Sequence, residues 1–174
     1  MNKVCAWCRK NLDDSSSADG DDPHPVSHGI CADCARKVME TESESVASYL
    51  DRFPGPVLLV EGEGLIVAAN GRGLGLLGKR AEEIRGRPGG NVFECRNAYL
   101  PGGCGKTIHC KSCTIRNTVT DTMLSGRSHI RIPAFLDTAD LSGDKRIRFL
   151  ISTEKSGEAV LLRIDEVDGK PMDE

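Results

Sequence analysis

Residues 57–70 read Val-Leu-Leu-Val-Glu-Gly-Glu-Gly-Leu-Ile-Val-Ala-Ala-Asn. Two apolar runs of strand length, residues 57–60 and 65–68, flank Glu61-Gly62-Glu63-Gly64, and that pattern spells a β-hairpin. Beyond Asn70 the apolar spacing changes. Arg80-Ala81-Glu82-Glu83-Ile84-Arg85-Gly86-Arg87 predicts a short helix closed by glycine. Ile115, Val119 and Met123 recur at helical spacing and predict a longer helix over residues 114–124, ended by Ser125-Gly126. Three strand-like runs complete the region, at residues 129–136, 146–152 and 159–164. Two strands, short helices, a longer helix and three strands, with antiparallel pairing, make an α+β domain with its helices on one face. The glycines of Gly71-x-Gly73-x-Gly75 lack the full dinucleotide-binding pattern and are read as a flexible turn.

Upstream of the hairpin, Val46, Tyr49, Leu50 and Phe53 form one apolar face of a helix that the capping box Thr41-Glu42-Ser43-Glu44 would start and Pro54-Gly55-Pro56 would end. Farther upstream, residues 11–25 are rich in Asp, Ser and Pro and show no periodic apolar face, which reads as a flexible loop. The chain thus divides into a first module (1–40), a linker helix (41–56), a second domain (57–167) and a C-terminal tail (168–174).

Eight cysteines in 174 residues form two groups of four. Cys5-Ala6-Trp7-Cys8 and Cys31-Ala32-Asp33-Cys34 are two Cys-x-x-Cys hooks 22 residues apart. Four thiolates suit tetrahedral zinc, and a two-residue gap lets both sulfurs of a hook reach one ion. A module this small buries too little apolar surface to fold alone, so the ion would supply the missing stability. His28 is a substitute ligand only if a cysteine is not used. The second group is Cys95-x8-Cys104-x5-Cys110-x2-Cys113. Gly102-Gly103-Cys104-Gly105 allows close backbone approach, and Cys110 and Cys113 are expected at the start of the longer helix, where free N–H groups stabilise thiolates. Between Arg96 and Thr120 stand Arg96, Lys106, Lys111 and Arg116 with no Asp or Glu. An iron–sulfur cluster or a second zinc fits that setting, and the four sulfurs are expected to converge on one site although the spacing matches no common ferredoxin run. Two other readings stay open: a reversible dithiol switch at Cys110 and Cys113, and separately buried thiols.

On the residues quoted above, from Leu58 to Asn70 and from Leu76 to Arg87, the region 56–167 resembles the PAS-domain family. The resemblance implies a five-stranded antiparallel sheet whose helices enclose a pocket, used for sensing ligands or redox state and for dimerisation. The Asn-Cys-Arg-Phe motif of flavin-binding members is missing, and His109 and His129 stand in no haem-ligand context, so neither cofactor is supported. The N-terminal hooks, with Ser27-His28-Gly29-Ile30 before the second, resemble the zinc-ribbon-like segment that heads many bacterial signalling proteins.

Composition narrows the function. Hydrophobic residues make up 39% and charged residues 28%, as in ordinary globular proteins, and the formal charge is −3. Residues 1–56 carry six Lys/Arg against ten Asp/Glu, so the first module lacks the basic footprint of a nucleic-acid binder. The start has no apolar signal stretch and no run reaches the roughly 20 residues of a membrane span, so a cytoplasmic location is expected. No nucleophile elbow or phosphate loop is present, so no enzyme is expected. The resulting expectation is a regulatory sensor or adaptor that reports metal, redox or small-ligand state to a signalling protein partner, with a homodimer as a further option. The alternatives are a thiol–disulfide oxidoreductase using Cys110 and Cys113, and a zinc-dependent transcription regulator.

Overall fold

The computed structural model describes residues 3–6, 8–12, 27–140 and 143–173, with the backbone alone at residues 3, 27–28, 38–45 and 139–140. The chain divides into two compact units, 1–46 and 47–174.

In the first unit, β1 (Lys3–Cys5) and β2 (Ser27–Gly29) pair in parallel, with Cys5 opposite Gly29. The helix expected from Thr41 starts earlier, because α1 runs from Ala32 to Leu50 and grows directly out of the second cysteine hook. Most of the expected flexible loop, and the side chains of His28 and the capping box, lie outside the described residues. Asn11, at the edge of that loop, bridges antiparallel to Val4.

The second unit is α+β. It contains β3 (Val57–Glu61), β4 (Leu65–Ala69), α2 (Gly71–Leu77), α3 (Ala81–Ile84), β5 (Arg87–Pro88), α4 (Gly89–Val92), α5 (Thr114–Ser125), β6 (His129–Asp140), β7 (Gly143–Ser156), β8 (Ala159–Val167) and β9 (Lys170–Pro171). Single 3-10 turns occupy Arg96–Tyr99 and Ile108–Ser112. The strand order is β5-β4-β3-β8-β7-β6, with every neighbouring pair antiparallel, and β9 pairs on β8. The five long strands are those expected from the sequence. The tail extends the sheet instead of trailing from it.

Alternation along the strands sends Leu58, Val60, Leu162 and Ile164 into one core with Ile84, Val92 and Val119 from the helices. Each such fully buried aliphatic contributes about 1.5–3 kcal/mol. A buried hydroxyl pair, Thr122 Oγ1 to Thr153 Oγ1 at 2.7 Å, fixes α5 on β7. Gly126 closes α5 in the left-handed conformation, as expected.

The flexible turn expected at Gly71–Gly75 is instead the helix α2. Two causes override the poor helix propensity of glycine. Asn70 caps α2 by accepting from the Gly73 N–H at 2.8 Å. Gly73 lets α2 pack close, since a Cβ there would lie 3.1 Å from the Val57 carbonyl oxygen and would crowd it. Asn70 also accepts from the Val57 N–H at 3.0 Å and donates to the carbonyls of Leu50 at 3.2 Å and Gly55 at 2.8 Å. One side chain, 1% exposed, therefore ties the end of α1, the approach to β3 and the start of α2.

Leu50, from the apolar face expected of the linker helix, is buried, whereas Tyr49 is 44% exposed. The Tyr49 and Phe53 rings meet edge to face, 5.6 Å apart.

Candidate functional site

Cys5, Cys8, Cys31 and Cys34 present their sulfurs within 4.8 Å of one another. The first hook is a tight turn closed by the Arg9 N–H on the Cys5 carbonyl, 2.9 Å, with Arg9 at φ 59°. The second hook sits at the head of α1, where the Cys34 N–H donates to the Cys31 sulfur at 3.4 Å and the Cys31 N–H donates to the Cys5 sulfur at 3.5 Å. Cys8 and Cys31 lie 3.7 Å apart, sulfur to sulfur. Tetrahedral ligands about 2.3 Å from one zinc stand about 3.8 Å apart, so these four are able to hold a single metal ion. The Cys34 thiol is pushed up to about 12, first by its hydrogen bond with Cys31, then by burial and by Cys8 and Cys5.

The second group is brought to one place by different means. Cys95, Cys104, Cys110 and Cys113 all line a cavity of about 240 Å³ within the second unit, walled by Val60, Ile66, Phe93, Val119, Leu136 and Leu162. Its sulfurs are spread more widely than those of the first group. Among the described residues, the N-terminal four are the one set of three or more His, Cys or acidic side chains whose ligand atoms all lie within 4.8 Å.

Local backbone positions these cysteines. Cys95 donates its N–H to the Gly90 carbonyl at 2.7 Å and bridges to Thr138 on β6. The Gly90 N–H donates to the Cys104 sulfur at 3.2 Å. A Cβ at position 90 would stand 2.7 Å from that sulfur, so only glycine leaves the thiol its place. Cys110 lies in the 3-10 turn before α5, not in the helix as expected, and accepts from the Gly105 N–H at 3.1 Å, with the Thr107 hydroxyl 3.2 Å away. Cys113 is the N-cap residue of α5, and its side chain makes no capping hydrogen bond.

These surroundings separate the thiols. Burial pushes Cys104 up, with Cys110, Cys113 and Cys95 adding to it against the opposing Gly90 N–H. Burial likewise raises Cys113, and Cys95 and Cys110 add to it. For Cys110 burial is outweighed by hydrogen bonds from Thr107 and Gly105 and by the Arg116 charge, and its thiol is held below the ordinary range. Of the four expected cations, Arg96 is engaged elsewhere, 2.6 Å from Asp144. His109 is exposed at the cavity rim. Gly90 and Thr107 are partners that the cysteine spacing alone did not single out.

No protein-family model and no curated protein matches this chain. Solved structures do match. The LOV protein of Rhodobacter sphaeroides is 19% identical, with 75% of this chain and 68% of that one covered and a TM-score of 0.49. A domain of a sensory box sensor histidine kinase/response regulator from Geobacter sulfurreducens is 8% identical over 74% and 96% of the two chains, with a TM-score of 0.45. The photoactive yellow protein domain of the sensor histidine kinase Ppr from Rhodospirillum centenum is 16% identical over 69% and 92%, with a TM-score of 0.43. This chain is similar to them in the course of its backbone.

Proposed function

We propose that this chain is a regulatory sensor or adaptor module of signal transduction, without catalytic activity, whose second unit reports the state of its cysteine-lined cavity through protein–protein contact. The observation that carries this reading is the cavity itself, in which four thiols meet the apolar core between sheet and helices. A change of ligation or charge there bears directly on the packing of α5 against β6, β7 and β8. The first unit is proposed as a zinc-stabilised docking module. Clustered thiols of both groups suit a reducing, cytoplasmic setting. The partner is proposed to be a signalling protein, and the exposed Tyr49 ring gives a second copy of the chain a point of contact.

Hydrogen exchange on the full chain tests this reading, measured before and after loading the reduced protein with zinc, or with ferrous iron and sulfide. Loading should slow exchange in residues 89–125 and also in β7, β8 and residues 47–56, with sedimentation recording any change of mass. Protection confined to the cysteine loop would overturn the sensor reading. Catalysed disulfide exchange lost in Cys110→Ser would favour the oxidoreductase instead.

A further inference from the structure

We infer that Cys95, Cys104, Cys110 and Cys113 form the binding site of one four-iron, four-sulfide cluster. The inference deepens the sensor reading, since it names what the cavity holds.

Sulfur spacing separates the candidates. Four thiolates on one zinc stand about 3.8 Å apart, and the N-terminal four lie within 4.8 Å of one another, with Cys8 and Cys31 at 3.7 Å. Thiolates that each bind a different iron of a cube stand farther apart, about 6–7 Å. The cavity sulfurs surround one space, yet no three of them come within 4.8 Å of one another. The same chain therefore holds a zinc-sized set and a wider set.

The space between the wider set has definite properties. At about 240 Å³ it falls below the roughly 300–1,000 Å³ of sites for organic ligands, which suits a compact inorganic group. Val60, Ile66, Phe93, Val119, Leu136 and Leu162 give it apolar inner walls. The sulfurs of Cys104 and Cys110 each already accept a backbone N–H, from Gly90 and from Gly105. Amides aimed at thiolate sulfur stabilise negative charge there and tune iron–sulfur centres. Arg116 lies beside the site, and Asp137 at the mouth faces Arg146 at 3.7 Å. Glu63, also at the mouth, is exposed to solvent. Assembly requires four thiol protons to leave as iron and sulfide enter.

The test is reconstitution of the full-length, reduced chain under anaerobic conditions with ferrous and ferric iron and sodium sulfide. The expected product is brown and contains about four irons and four acid-labile sulfides per chain. Cys104→Ser should lower iron to background, and Cys31→Ser should leave it unchanged. Alkylation covers the case of a variant that does not fold. In the loaded wild type, Cys95, Cys104, Cys110 and Cys113 should resist a thiol reagent that modifies them all in the unloaded chain. A second zinc per chain in place of iron, iron without sulfide, or unprotected cysteines in iron-loaded protein would overturn the inference. The sensor reading fails separately: a loaded cluster that leaves exchange in β7, β8 and residues 47–56 unaltered refutes the sensor and keeps the cluster.

Discussion

Cys31→Ser should abolish the fold of the first unit while the second unit keeps its own. Among its described residues, the first unit offers a three-residue pair of strands, one tight turn and the first turns of a helix, with Cys5 and Cys31 themselves among the few that are buried. That much burial does not offset the conformational entropy of ordering the chain, about 1–2 kcal/mol per residue. Structural zinc supplies about 10–16 kcal/mol of apparent binding free energy in peptides of this kind at neutral pH. The effect is therefore all or none. Calorimetry with metal analysis should show one zinc lost and the transition of the second unit in place, and a strong chelator should do the same to the wild type. Acid acts in the same direction. Since the raised Cys34 thiol must lose its proton to bind metal, occupancy rises with pH and falls as protons compete. A variant that keeps exchange protection over residues 27–37 would refute a metal-dependent unit.

Asn70→Ala should destabilise the second unit by about 3 kcal/mol, and lower its Tm by roughly 10 °C. Loss of an N-cap alone costs about 0.5–2 kcal/mol. Here the same truncation also deprives the Val57 N–H and the carbonyls of Leu50 and Gly55 of a partner, in a place without room for water to substitute freely. Asn70→Asp keeps both accepted bonds and loses both donated ones, so it should fall between wild type and alanine. A loss below about 1 kcal/mol for alanine would show that the four bonds are not the anchor of α2.

Regular periodicity made most of the second unit legible. The hairpin at 57–69, the helix stopped at Gly126 and the three closing strands follow from local pattern, because each buries one face against a single core. The exceptions were settled by distant contacts. Gly71, Gly73 and Gly75 carry no helical signal, and α2 exists because Asn70 and the Val57 backbone hold it. The start of α1 was obscured because its first turn belongs to the cysteine hook and not to an apolar face. The N-terminal cysteines could be grouped from spacing, since each hook is local. Cys95 and Cys104 were expected beside Cys110 and Cys113 from the glycines around Cys104, but the course of the loop after α4 that carries them depends on the Gly90 amide and the bridge to Thr138, which spacing does not show.

The sheet order has a kinetic consequence. β3 pairs on β8, with Val57 opposite Arg163, so the second strand to lie at the centre of the sheet is among the last to be synthesised. A nascent chain can close the hairpin β3–β4 early, but that hairpin has no neighbour on its inner edge until more than ninety further residues have emerged. Pairings of such long sequence separation slow folding, because the loop must close before any contact rewards it. During that interval the loop carrying Cys95 to Cys113 lies outside any finished core, and its thiols are open to whatever loads or oxidises them. Leu162 of β8 walls the cavity beside the four cysteines, so the cavity closes only once β8 has docked, which makes the order of synthesis part of how this pocket forms.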